Sequence, residues 1–125
     1  MRHVRVRVTV SARASESAVF LVDTGSTFTV IPPDLADRIG AVVLPKRFQV
    51  RLADGTVRRP RVCTIAIRLM EREVPTAALV LPGSDPLLGV ETLEALGLTV
   101  NPRRRRLEPT RPYAALLYGL ARAVA

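Results

Sequence analysis

The run Phe20-Leu21-Val22-Asp23-Thr24-Gly25-Ser26 ends an apolar stretch in one acid, two hydroxyls and a glycine. A carboxylate is costly to take out of water unless hydrogen bonds hold it, and the three residues after Asp23 can supply them. Gly25 lets the backbone turn sharply and bring an N–H close, while the Thr24 and Ser26 hydroxyls each donate and accept. A loop of this kind fixes the position and protonation state of an acid, which general acid–base chemistry requires. The same residues also suit a turn that closes a buried strand, and residues 23–26 alone leave both readings open.

Other chemistries are limited by the inventory. His3 is the only histidine and Cys63 the only cysteine, so neither a Cys/His zinc site nor an intrachain disulfide can form, and a reducing compartment is expected. His3, near the start, is a poor general base. There is no G-x-G-x-x-G and no phosphate loop. No metal and no cofactor are expected.

At 125 residues, 48% hydrophobic and 24% charged, the chain builds one folded core and not two. A site that needs two lobes must therefore draw on two chains. The formal net charge is +8, with Lys46 the only lysine among 19 basic residues. That balance raises nucleic acid as a partner. However, the arginines are scattered apart from Arg103–Arg106, and no aromatic ladder offers bases a stacking platform, so the charge reads first as a solvated face. No apolar run approaches about 20 residues, and the alternating start from Met1 to Arg7 is unlike a signal peptide. Neither membrane nor nucleic acid is an expected partner, and a cytoplasmic location is expected.

Val4, Val6, Val8 and Val10 repeat every second residue, the pattern of a half-buried strand. Glu16–Val22 returns as a more apolar and more deeply buried strand that delivers Asp23 at its end, and Phe28–Ile31 is strand-like again. Pro32–Gly40 predicts a short helix with proline in its first turn and glycine at its stop. Residues 47–52 alternate, and Ala53-Asp54-Gly55-Thr56 signals a tight hairpin whose return arm runs from Val57 to Leu69, edge-like at Pro60. Glu71-Arg72-Glu73 turns into a strand over Val74–Leu81. Leu87-Leu88-Gly89 then precedes a helix over Val90–Leu96, and a buried glycine there suggests close backbone approach. Leu98–Val100 and Arg105–Glu108 form a hairpin with the arginine run in its turn. From Pro112, Tyr113, Leu116, Leu117, Leu120 and Val124 follow helical spacing, so an amphipathic helix is expected over residues 111–125.

Leu21-Val22-Asp23-Thr24-Gly25-Ser26, the Ala53-Asp54-Gly55 hairpin and Leu87-Leu88-Gly89 before a helix together resemble the retroviral-type (retropepsin-like) aspartic proteases, in order and spacing as well as residue type. The resemblance covers roughly residues 4–108. It implies an all-β fold with short helices, a small closed β-barrel over residues 1–110 with one lobe per chain; the C-terminal helix read from the spacing departs from viral members, which end on a short interface strand. It also implies a homodimer that hydrolyses a peptide or protein substrate. Asp23 would be catalytic, supported by Thr24, Gly25 and Ser26. Ala53, Asp54 and Gly55 would form a flap over the substrate, and Leu88 and Gly89 would support the loop. By that resemblance Thr24 ties two loops together, and the Gly25 N–H and Ser26 hydroxyl bind the carboxylate oxygens. Val90 stands where viral members carry an arginine that helps join the subunits, and cellular members are closer there. Two other readings stay open: a catalytically silent peptide-binding or scaffolding module of the same fold, and a basic nucleic-acid binder using Arg103–Arg106.

Overall fold

Valine at every second position makes Val4–Ser11 (β1) a strand, with Val4, Val8 and Val10 buried and Arg5 and Arg7 in solvent. The structure, a computed structural model, describes residues 4–52 and 54–110. Ala53 and the expected helix over 111–125 lie outside the described residues. β1 pairs antiparallel with Ser15–Val22 (β2), in register from Val4↔Val22 to Ser11↔Ser15. The expectation that this second strand is the deeper one fails: only Phe20 and Val22, at its end, are buried. The apolar end of β2 is thus the part that carries Asp23.

Thr29–Ile31 (β3) is wholly buried and leads into Pro33–Ile39 (α1), which starts on proline and stops at Gly40 with φ 64°. Leu35 and Ile39 face the core, as the spacing predicts. Val42–Val43 (β4) is a short, exposed edge strand. The alternation over 47–52 forms a ladder only at Val50–Arg51 (β5), opposite Val57–Arg58 (β6). The return arm is not continuous. Arg59 and Pro60 separate β6 from Arg61–Leu69 (β7), since a proline has no N–H for a ladder.

β7 pairs along its whole length with Arg72–Val80 (β8), from Arg61↔Val80 to Leu69↔Arg72. Their turn is Met70-Glu71, not Glu71–Glu73, and both residues have positive φ, 54° and 62°. This two-residue turn matches the twist of the strands despite lacking glycine. Leu87–Leu88 (β9) and Val90–Leu96 (α2) follow, α2 ending at Gly97 with φ 69°. Arg72, only 8% exposed, donates through Nη1 to the carbonyls of Leu96 and Gly97 at 2.8 and 3.1 Å, so a residue on β8 caps the end of α2. Leu98–Asn101 (β10) and Arg106–Pro109 (β11) close the described chain as a hairpin. Asn101 Oδ1 accepts the N–H groups of Arg103 and Arg104 in its turn, and Arg103–Arg106 are exposed.

Seven strands lie in the order β1-β2-β9-β3-β8-β7-β4. A further pairing of β1 with β7, Thr9↔Arg68 to Ser11↔Ala66, closes six of them into a ring, with β4 outside it. The expected closed barrel is therefore a ring with one strand riding on its edge. Phe20, Ile31, Leu35, Ile39, Ile67, Leu88 and Leu96 fill the main core. A second apolar cluster, Val30, Val62, Leu79 and Leu81, packs against half-buried Val50, Leu52 and Leu87 and joins the hairpin to the ring.

Candidate active site

The end of β2 is held by a parallel partner. Leu21 N–H donates to the Pro86 carbonyl at 2.9 Å and Asp23 N–H to the Leu88 carbonyl at 3.1 Å, so β9 fixes where the strand stops and the acid begins. The chain then turns on Gly25, whose N–H donates to Asp23 Oδ1 at 2.9 Å, while Ser26 N–H donates to the Asp23 carbonyl at 3.1 Å. Asp23 is half-buried and Thr24 is exposed beside it. The Ser26 hydroxyl does not meet the carboxylate. It donates to the Phe28 carbonyl at 2.8 Å and so holds the shape of the loop instead.

The loop is pinned from below by the segment around Gly89. Val90 N–H donates to the Ser26 carbonyl at 2.8 Å and Glu91 N–H to the Thr27 carbonyl at 3.1 Å. A Cβ on residue 89 would sit 2.7 Å from the Thr27 carbonyl oxygen and closer still to the Phe28 peptide, so only glycine fits. The close backbone approach inferred from the sequence is present, with Leu88 fully buried next to it.

Three threonines that sequence reasoning missed complete the support. Gly89 N–H donates to Thr29 Oγ1 at 3.1 Å, Thr29 Oγ1 lies 2.6 Å from Thr92 Oγ1, and Thr92 Oγ1 lies 2.9 Å from Thr76 Oγ1. Thr29 and Thr92 are each 1% exposed, so these hydroxyls have no water to turn to. The available signal was a hydroxyl at otherwise apolar positions, Thr29 between Phe28 and Val30. Thr29→Val keeps the shape but leaves the Gly89 N–H without its acceptor. The expected cost is about 2 kcal/mol, read as a lower urea midpoint at unchanged slope.

Asp23 opens onto a cleft of about 740 Å3. Val30, Leu79, Leu81 and Leu87 give it an apolar wall, and Val50, Leu52 and Arg58 bring the hairpin to it. Among the described residues that line the cleft, Asp23 is the only carboxylate. At the hairpin tip Gly55 has φ 87° and donates to the Leu52 carbonyl at 2.9 Å. Asp54 Oδ1 accepts the Thr56 hydroxyl at 2.6 Å and the Thr56 N–H at 2.9 Å, bonds that hold its carboxyl below the usual range. Asp54 and Gly55 thus build the turn, while Gln49–Leu52 and Arg58 line the cleft. Ala53, the remaining expected tip residue, lies outside the described residues.

A carboxylate held by a glycine N–H at a strand end, backed by a glycine that no other residue replaces, sits on a peptide-sized cleft. Residues 7–95 match the family model described as "gag-polyprotein putative aspartyl protease". The chain belongs to this family. The matched span contains the Asp23 loop, the hairpin and Leu87-Leu88-Gly89. Among solved structures it is similar to EIAV protease complexed with the inhibitor HBY-793, at 18% identity and a TM-score of 0.64, over 80% of this chain and 93% of that one. At that identity the likeness establishes the fold, which is retropepsin-like. A search of curated proteins finds no match. Among the described residues no group of three or more His, Cys, Asp or Glu converges, and no helix is long and apolar enough to cross a membrane.

Proposed function

We propose that this protein is a homodimeric aspartic endopeptidase in which Asp23 of each chain supplies half of the catalytic pair. The observation that carries the reading is the Asp23 carboxylate, half-buried, tethered through one oxygen to Gly25 N–H, and alone among acids on the cleft. Hydrolysis of a peptide bond by carboxylates needs one group to take a proton from water and another to polarise the carbonyl and return a proton. One chain offers one such group. A two-fold axis beside the loop brings a second Asp23, and in this reading Thr24, exposed next to it, joins the two loops.

In the pair, like charges at close range do not both ionise, so one Asp23 is protonated and the other is the base. The base activates a bound water for attack on the scissile carbon, and the protonated partner hydrogen-bonds the carbonyl oxygen and then protonates the leaving amine. The hairpin carrying Val50, Leu52 and Arg58 closes on an extended peptide, to which strand-like main-chain hydrogen bonds can form. No metal or cofactor takes part.

The test is cleavage of fluorogenic peptides by the purified chain across acidic and neutral pH. kcat/KM should follow a bell whose two limbs belong to the pair rather than to either carboxyl, and specific activity should rise with protein concentration until the dimer is saturated. Peptide binding without turnover at any pH would make the chain a silent peptide-binding module. Turnover independent of concentration down to high dilution would remove the dimer.

A further inference from the structure

The hairpin brings two cations, Arg51 and Arg58, to the cleft, and Arg58 also reaches a second cavity. Val50 and Arg58 are directly opposite in the β5–β6 ladder, so their side chains share a face, and Val50 packs on the apolar cluster beneath. Arg58, Leu81 and Pro82 line both the Asp23 cleft and a neighbouring cavity of about 280 Å3. That cavity is also lined by Arg47, Arg59 and Arg61, and by no acidic residue.

Ion pairs within 4.0 Å join Arg38 to Glu16 and Asp34, and Arg106 to Glu108, all away from this cavity. Among the described residues Arg47, Arg58, Arg59 and Arg61 pair with no carboxylate within 4.0 Å. Arg47 instead donates to the Arg59 carbonyl at 3.1 Å, which ties two of the four positions together. Asp54, at the hairpin tip, is engaged by Thr56. Four cations line one cavity with no acid among its described lining residues, and an anion arriving from outside relieves their mutual repulsion.

We infer that this arginine-lined cavity is a binding site for acidic side chains, aspartate or glutamate, on the peptide whose scissile segment lies in the Asp23 cleft. The inference rests on the peptide-binding part of the proposed function. Continuity favours a peptide over a nucleic acid, because a chain extended along the cleft passes Arg58, Leu81 and Pro82 directly into the cavity. Among the described residues proline, valine, leucine and arginine line it, with no aromatic ring on which a base would stack. The site therefore selects substrates with an apolar core and an acidic flank.

The experiment compares two labelled peptides with one apolar core, flanked on both sides by glutamates or by glutamines, binding to the full chain carrying Asp23→Asn, which holds the groove without cleaving. The glutamate peptide should bind about tenfold more tightly at low salt, the sum of two or three exposed ion pairs. The advantage should shrink as salt is added and vanish in Arg47→Gln/Arg59→Gln, whose folding is checked by its melting curve. Equal binding of the two peptides, or an advantage that survives both arginine substitutions in a folded protein, would overturn the inference. Tighter binding of a single-stranded RNA oligomer of equal charge, lost in the same variant, would assign the cavity to nucleic acid instead. If this pattern holds but the Asp23 protein cleaves neither peptide, the protease reading fails and the acidic-peptide site stands.

Discussion

Asp23→Asn is expected to lower kcat/KM for peptide cleavage by roughly 10^3-fold or more while leaving the chain folded. The amide keeps an oxygen where Asp23 Oδ1 accepts the Gly25 N–H at 2.9 Å, so the tether that shapes the loop survives. What is lost is the ability to take a proton from water in one copy and to give one to the substrate in the other. Stability of the folded chain should change little, because the Gly25 N–H keeps its acceptor. The two effects are separable by measuring kcat/KM and the melting temperature on the same preparation. Activity within tenfold of the parent would exclude Asp23 from catalysis.

Gly89→Ala is expected to cost about 3 kcal/mol and to lower the melting temperature by roughly 10 °C. Two effects compete. Replacing a glycine reduces the freedom of the unfolded chain, worth up to about 1 kcal/mol in favour of the variant. Gly89 has φ −90° and ψ 169°, which any residue adopts, so no backbone strain opposes that gain. Space decides the sign. The new methyl would meet the Thr27 carbonyl at 2.7 Å and the Phe28 peptide nearer still, and these are main-chain atoms that no rotamer change moves aside. Relief requires the loop and the start of α2 to separate, which breaks the bonds from Val90 and Glu91 to Ser26 and Thr27. Activity should fall together with stability. A melting temperature equal to the parent's would mean that the loop yields without cost and that Gly89 is not what holds it.

What was legible in the sequence is what local rules govern. Valine alternation placed β1, and glycines with positive φ stopped α1 at Gly40, α2 at Gly97 and the hairpin at Gly55. The acid at the end of an apolar strand and the glycine before a helix were read correctly as a loop and a close approach, because each depends on the residue type itself. Partner choice was not legible. Nothing local in Leu21 or Leu87 indicates that they pair in parallel, or that β1 turns to β7 to close the ring. The Met70-Glu71 turn escaped because its residues carry no turn signature, and the register of β7 with β8 imposes positive φ on both. Arg72, read as part of that turn, is instead drawn in to cap α2. The Ser26 hydroxyl, expected on the Asp23 carboxylate, donates to the Phe28 carbonyl instead. The threonine chain from Gly89 through Thr29 and Thr92 to Thr76 joins residues 16 to 63 positions apart, beyond any window of sequence periodicity.

The central claim is that one active site needs Asp23 from two chains, and a subunit-mixing titration tests it most directly. The parent chain and Asp23→Asn are co-refolded at varied ratios and fixed total concentration, and peptide cleavage is measured. A shared pair predicts activity that follows the square of the parent fraction, roughly one quarter at equal parts. Activity proportional to the parent fraction, about one half at equal parts, would show that each chain works with its own Asp23 and would contradict the account.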